Sequence, residues 1–137
     1  MKIALDTNVL VSAVATRGLC ADLVNLVLAE HELVLGETVL AEVKKVLREK
    51  MRVPSSTIQE FDALLRQEGS VVAKGEPLAV TIRDMSDVPV LAEAVTGRAD
   101  VLVTGDRDLL DITQPLPIEV LTPRDLWERL RQRDPDR

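Results

Sequence analysis

The sequence predicts an α/β fold with three layers, in which a central parallel sheet has helices on both faces. Two observations lead to this prediction. Short apolar runs rich in Val, Leu and Ile alternate along the chain with longer segments of helical periodicity, a pattern typical of strand–helix–strand units. The 137 residues are 46% hydrophobic and 29% charged, which is the balance of one globular domain rather than of a disordered chain.

The first half of the chain predicts two strands and three helices. Lys2–Leu5 and Glu32–Leu35 are short apolar runs that end at Asp6 and at Gly36. Apolar residues at helical spacing predict the helices Asn8–Ala15, capped by Asp6 or Asn8, then Cys20–Glu30, after a break at Arg17-Gly18, and Thr38–Glu49, whose apolar stripe is Val39, Leu40, Val43, Val46 and Leu47.

The second half begins at Pro54, which ends the preceding helix. Ser55 or Ser56 caps a helix that ends at Gly69 and carries the apolar residues Ile58, Phe61, Leu64 and Leu65. Ser70–Ala73 is a candidate third strand, and a polar connection, Lys74–Pro77, and a short extended run, Leu78–Ile82, follow it. The remaining elements are a helix at Ser86–Thr96 with Pro89 in its first turn and Gly97 at its end, strands at Asp100–Thr104 and Ile118–Leu121, and a last helix that opens at Thr122-Pro123-Arg124-Asp125.

Composition limits the class of protein. We expect a single domain over residues 1–130, followed by a charged, frayed tail over residues 131–137. The formal net charge of −6 argues against a protein that binds nucleic acid by neutralising many phosphates, but not against an enzyme that holds nucleic acid through metal ions. No run approaches the roughly 20 apolar residues of a membrane-spanning helix, and the single cysteine, Cys20, forms no internal disulfide. We therefore expect a cytoplasmic protein that does not contact a membrane.

Carboxylates follow the two clearest strands. Asp6 follows the first strand, and Asp106 and Asp108 come just after the strand that ends at Thr104. In open parallel sheets, sites form beyond the carboxyl ends of the strands, near the switch in strand order. A carboxylate that is partly desolvated there is costly unless it is capped, paired or bound to a cation.

Two further acids belong to helices. Asp87 lies near the start of its helix, where the helix dipole favours an anion, and Glu42 lies on the margin of an apolar stripe. Taken one by one, Asp6, Asp87 and Asp108 are also explained as helix caps, and Glu42 as a solvated side chain. Several carboxylates at one sheet edge would repel one another without a cation, and oxygen ligands suit Mg²⁺ or Mn²⁺. Such ions serve phosphoryl transfer by activating water and stabilising charge on the phosphate.

The chain resembles PIN-domain proteins, and within them the bacterial toxin group of which VapC is the best-known member. Four segments, which together span Met1 to about Arg129, carry the resemblance: LDTNVLVSA, ETVLAEVKKVL, DVPVLAEAVTGRADVLVTGDRDLL and IEVLTPRDLW. The most specific of them is GRADVLVTGDRDLL. The resemblance implies a metal-dependent endoribonuclease that hydrolyses RNA, acts as a toxin, forms a homodimer and is occluded by a small antitoxin protein.

The resemblance also implies site residues. The four acidic positions of the family fall on Asp6, Glu42, Asp87 and Asp106. Asp108 matches an acidic position that members fill variably, Thr104 matches a hydroxyl that orients the cluster, and Asn8 matches the polar residue beside the first Asp. Asp84 stays an alternative to Asp87, because relatives often read DPDDNP where this chain reads DMSDVP. We expect these carboxylates to hold Mg²⁺ or Mn²⁺, with Glu42 orienting or deprotonating the attacking water.

A basic run that includes Lys44, Lys45 and Arg48 lies on the helix that bears Glu42. It is either a solvated face or a contact for RNA phosphates beside the metal site. The only aromatic residues are Phe61 and Trp127, which argues against a platform for base stacking.

Two rival functions fit part of the pattern. A haloacid-dehalogenase-like phosphatase would use Asp6 as nucleophile and Gly105-Asp106 with Asp111 as its late motif, but Asp6-Thr7-Asn8 lacks the usual second Asp. A PIN-like module kept only for binding or dimerisation would be expected to lose an acidic position, whereas all four are present. With His31 and Cys20 the only residues of their kinds, neither a zinc cluster nor a Ser-His-Asp triad is indicated.

Overall fold

The structure is a computed structural model that describes residues 1–73, 75–76 and 87–133. Within these ranges the chain forms five strands and seven helices. In chain order the elements are β1 (Lys2–Leu5), α1 (Thr7–Ala15), α2 (Leu19–Glu30), β2 (Glu32–Gly36), α3 (Glu37–Glu49), α4 (Ser55–Glu68), β3 (Ser70–Val72), α5 (Val88–Thr96), β4 (Val101–Val103), α6 (Arg107–Leu110), β5 (Glu119–Leu121) and α7 (Pro123–Arg133).

The five strands form one parallel sheet in the order β3-β2-β1-β4-β5. From β1 the chain builds outward through β2 and β3, and it then returns to the other side of β1 to add β4 and β5. The switch in strand order therefore lies between β1 and β4, where Leu5 pairs with Val103. All carboxyl ends lie at one edge of the sheet, so the residues after β1 and β4 are neighbours there.

Side chains of the central strands alternate between two apolar cores. Ile3 and Leu5 of β1 pack with helices α1, α2, α3, α4 and α7, whereas Ala4 packs with α5 and α6 on the opposite face. This alternation is the two-residue period of a strand, and it buries the sheet on both sides. The predicted three-layer arrangement with a central parallel sheet is confirmed.

Several element boundaries differ from the prediction. Helix α1 begins at Thr7 with Asp6 as its cap, β3 ends at Val72, and α6 is a four-residue helix that the sequence analysis did not predict. Leu64 was assigned to the apolar face of α4 but is 43% exposed. The extended run predicted at Leu78–Ile82 lies outside the described residues, as do the predicted helix start at Ser86 and the alternative acid Asp84.

Helix α7 extends into the segment that was predicted as a tail. Helix α7 continues to Arg133, so part of the segment predicted as a frayed tail is helical, and residues 134–137 are outside the described ranges.

Among the described residues, no single helix has the length and apolar character needed to cross a membrane. Helices α1 and α2 reach that composition only as a pair, and they meet at a bend of 107°.

Candidate metal centre

Asp6 is the first residue beyond β1 and is only 7% exposed. Its backbone N–H continues the sheet by donating to the Val103 carbonyl oxygen at 2.9 Å. Its side chain turns back to cap α1, because Oδ1 accepts the Thr7 N–H at 2.8 Å. The strand end and the helix cap together hold this carboxylate in one orientation.

Thr104 joins Asp6 to the other acids that follow β4. It is fully buried, and its hydroxyl donates to Asp6 Oδ2 at 2.7 Å. The same hydroxyl oxygen accepts the Asp106 N–H at 3.0 Å. Asp106 Oδ1 in turn accepts the Asp108 N–H at 2.9 Å and so caps α6. The residue that was expected to orient the cluster thus makes hydrogen bonds to both Asp6 and Asp106.

Burial raises the pKa of Asp6 above its usual value of 3.8. The hydrogen bonds from Thr104 and Thr7 oppose this rise in pKa by stabilising the carboxylate, and the nearby charge of Asp106 adds to it. Desolvation is the largest of these effects, so an ionised Asp6 is costly in the protein alone. A cation bound at the cluster would lower that cost.

Asp87, Asp106 and Asp108 form a compact carboxylate group. One oxygen from each lies within 4.8 Å of the others, and all three residues are partly exposed. Neighbouring oxygens around one octahedral Mg²⁺ at about 2.1 Å are about 3 Å apart, so these side chains would have to draw closer together for one ion to bind all three. The donor set is oxygen only, which suits Mg²⁺ or Mn²⁺. Asp87 precedes α5, but its side chain makes no capping hydrogen bond there.

Glu42 reaches the same region from α3. Its Oε2 accepts the Thr7 hydroxyl at 2.9 Å, which places it beside the residue that follows Asp6. Sequence reasoning missed Thr7 and assigned the supporting role to Asn8, which is exposed. The position of Thr7 at the start of α1 gave no signal, because its contact with Glu42 crosses 35 residues of sequence.

The basic run of α3 does not lie on one face. At about 100° per residue, Lys45 is about 60° from Glu42 around the helix axis, whereas Lys44 is about 160° away and Arg48 about 120° away. Lys44 lies 3.8 Å from Asp62 of α4, and Lys44 and Arg48 both line a cleft between α3 and α4. Of the three predicted substrate contacts, Lys45 is the one on the side of the acids.

Four polar or charged residues are buried in the described part of the chain, namely Asp6, Thr7, Glu93 and Thr104. Three of them belong to the acidic edge. The fourth, Glu93, lies on α5 and was not singled out from the sequence. Its Oε1 accepts the Thr38 N–H of α3 at 2.9 Å.

Comparisons with known proteins identify the fold and the family. No curated protein matches the chain. The fold resembles that of a protein chain in the crystal structure of VapBC2 from Rickettsia felis bound to a DNA fragment from the VapBC2 promoter, with a TM-score of 0.61. The two chains are 15% identical, and the match covers 88% of this chain and 97% of the Rickettsia chain. At this identity the likeness shows a common fold. The family model described as PIN domain matches residues 2–108, more than half of the chain, and the chain therefore belongs to the PIN-domain family.

Proposed function

We propose that this chain is a metal-dependent endoribonuclease that hydrolyses RNA phosphodiester bonds and acts as the toxin of a toxin–antitoxin pair. The observation that carries the proposal is the convergence of acids at the switch point between β1 and β4. Asp6 and Asp106 share the Thr104 hydroxyl, and Asp106 lies within 4.8 Å of carboxylate oxygens of Asp87 and Asp108. Such a cluster at the carboxyl edge of a PIN-domain sheet is suited to phosphoryl chemistry.

In this proposal Asp87, Asp106 and Asp108 would hold Mg²⁺ or Mn²⁺. Asp6, which Thr104 connects to Asp106, would add a further negative charge beside the ion. The bound ion supplies a stronger nucleophile from water and stabilises charge on the phosphate. Glu42 orients the water and accepts its proton. The Thr7 hydroxyl occupies Oε2, so Oε1 is the oxygen assigned to the water. Asp6 is held in one orientation by its two hydrogen bonds, and a bound cation would favour its ionised form.

RNA would approach the acids from the exposed edge of the sheet. Lys45 is exposed and lies on the flank of α3 nearest Glu42, so we assign it the first contact with a substrate phosphate. Lys44 and Arg48 would contact the RNA only if the bound RNA extended across α3 toward α4. A binding mode that uses few cations predicts a modest salt dependence of affinity.

Partners follow from the same family. One structural neighbour is VapBC2 bound to a DNA fragment from its promoter, which supports an antitoxin partner for this chain. We assign that partner to the acidic edge, where it would block access to the site. A homodimer and a cytoplasmic location, where RNA is available, complete the proposal.

The test is a cleavage assay on mixed RNA with Mg²⁺, Mn²⁺ or EDTA. We expect metal-dependent cutting by the wild type and at least a 100-fold loss in Asp6→Asn, because a buried member of the cluster loses its charge. Asp100→Asn is the matched control. Asp100 accepts the Lys2 N–H at 2.8 Å at the amino ends of β1 and β4, the opposite edge of the sheet from the acids. This variant should cut like the wild type.

Three outcomes would contradict the proposal. Equal cutting by Asp6→Asn and the wild type would show that the site is elsewhere. If the protein cuts no RNA, whether or not it binds Mn²⁺, a PIN domain kept for binding or dimerisation would be favoured. Activity only on phosphate monoesters would favour the phosphatase alternative.

A further inference from the structure

Glu93 is a buried residue of α5 whose carboxylate accepts a hydrogen bond from another helix. It is 3% exposed, and its two oxygens lie 2.9 and 3.3 Å from the Thr38 nitrogen. Thr38 belongs to the first turn of α3, where backbone N–H groups have no partner within the helix. The cap residue of α3 is Gly36, which makes no side-chain hydrogen bond. Glu93 therefore caps α3 from α5.

Gly36 makes this contact possible. A Cβ at position 36 would overlap Glu93 Oε1 and would lie 2.6 Å from its Cδ and 2.7 Å from its Cβ, so the Glu93 side chain would have to shift. Glycine therefore lets the end of β2 pass under the Glu93 carboxylate. The φ of Gly36 is −92°, so space, and not an unusual backbone conformation, favours glycine here.

The two helices that Glu93 joins each carry a member of the acidic cluster. Asp87 lies at the start of α5, six residues before Glu93. Glu42 lies on α3, about one turn after Thr38. Apolar contacts of α3 with the sheet, through Val39, Leu40, Val43 and Leu47, are not directional. The hydrogen bond from Thr38 to Glu93 is directional, so it constrains where the first turn of α3 lies relative to α5.

We propose that Glu93 is a positioning residue that sets the separation of Glu42 from Asp87, and thereby the geometry of metal binding and water activation. This inference rests on the proposed nuclease function. Glu93 touches neither the ion nor the substrate, and it acts through the placement of α3 against α5.

Three variants test the proposal. Glu93→Met keeps the volume and removes the acceptor, Glu93→Gln keeps an acceptor oxygen for the Thr38 N–H, and Gly36→Ala displaces the carboxylate without changing it. We expect Glu93→Met and Gly36→Ala to weaken Mn²⁺ binding, measured by calorimetry, and to lower kcat, each by about tenfold or more, the range found when groups that orient metal ligands are removed. KM should change little, and Glu93→Gln should stay close to the wild type.

Thr122→Val is the matched control. It removes the side-chain cap of α7, where Thr122 Oγ1 accepts the Asp125 N–H at 3.1 Å, and α7 bears none of the acids. It should lower the melting temperature as Glu93→Met does, while Mn²⁺ binding and kcat remain those of the wild type.

The outcomes separate the two proposals. A wild-type chain that binds no Mn²⁺ and cuts no RNA would overturn the proposed function. A wild type that binds and cuts, with folded Glu93→Met or Gly36→Ala behaving like Thr122→Val, would overturn the role of Glu93 alone. If Glu93→Met and Gly36→Ala both fail to fold, Glu93→Gln decides: wild-type activity supports the acceptor role, and a loss as large as that of Asp6→Asn contradicts it.

Discussion

The acids of the site are held in two different ways. Asp6 extends directly from a central strand, is buried, and has each carboxylate oxygen in a hydrogen bond. Glu42 projects from a helix, is partly exposed, and depends on one hydroxyl contact from Thr7. Strand ends are placed by the hydrogen-bonded register of the sheet, whereas a helix-borne acid is placed by packing between helices. The sheet therefore supplies the fixed part of the site, and the helices supply the part that tertiary contacts must adjust.

The largest effect that tests this contrast is expected in Thr104→Val. The substitution removes the donor to Asp6 and the acceptor for the Asp106 N–H at a site with no exposed surface. We expect Mn²⁺ affinity and kcat to fall by about 10- to 100-fold, measured by calorimetry and single-turnover cleavage. Thr7→Val removes only the contact with Glu42, so it should lower kcat and weaken Mn²⁺ binding less than Thr104→Val does. Equal loss of metal binding in both variants would contradict the division into two parts.

A smaller effect is expected on the stability of the metal-free protein. The pKa of Asp6 is raised above 3.8 by burial, so the unfolded chain loses this proton first as the pH rises. Asp6 therefore destabilises the fold between pH 3.8 and its raised pKa, and that cost persists at higher pH. In EDTA, Asp6→Asn should melt a few degrees above the wild type at neutral pH, since its amide can donate to the Thr104 hydroxyl oxygen.

The difference in melting temperature should disappear below pH 3.8, where Asp6 is protonated in both states. Saturating Mn²⁺ should reverse the order at neutral pH by stabilising the wild type more. A variant less stable than the wild type in EDTA at neutral pH would show that burial of the charge is not the dominant cost.

The smallest effect is expected from Glu37→Gln, which removes an exposed ion pair between α3 and α4. Arg66 of α4 donates to both oxygens of Glu37 at 2.9 and 3.1 Å, and this pairing lowers the pKa of Glu37 below 4.5. The stabilisation is present above pH 4.5 and is lost as the pH falls through the lowered pKa. Because the pair is exposed, Glu37→Gln should cost less than about 1 kcal/mol in urea unfolding at pH 7. Mn²⁺ affinity should not change, and a change would mean that this ion pair also positions the site.

The strands were the most predictable part of this fold. Apolar runs such as Lys2–Leu5 indicate buried strands because they are too short to show a helical period and end at polar residues or glycine, and Asp6 and Asp106 follow from where those runs end. The order β3-β2-β1-β4-β5 is not contained in any single segment, since it results from which helices cover which face. Helix α6 has four residues and is too short to show a period.

The supporting residues of the site were harder to predict. Thr7 and Glu93 gain their roles from partners 35 and 55 residues away in sequence, so nothing in their own neighbourhood marks them. The basic run of α3 is a different case, because helical geometry alone separates Lys45 from Lys44. Asp108 was expected either to cap a helix or to join the metal ligands, and in the structure Asp106 caps α6 while Asp108 lies in the carboxylate group with Asp87.

The central place of β1 has a consequence for the order of events during synthesis. Asp6 emerges from the ribosome 98 residues before its partner Thr104, and β4 cannot complete the sheet beside β1 until Thr104 has followed. Over that stretch of synthesis the growing chain carries Asp6 without the residue that connects it to the other acids. The proposed metal site would therefore be incomplete in the nascent chain, and the proposed nuclease would be unable to cut nearby RNA until β4 has emerged.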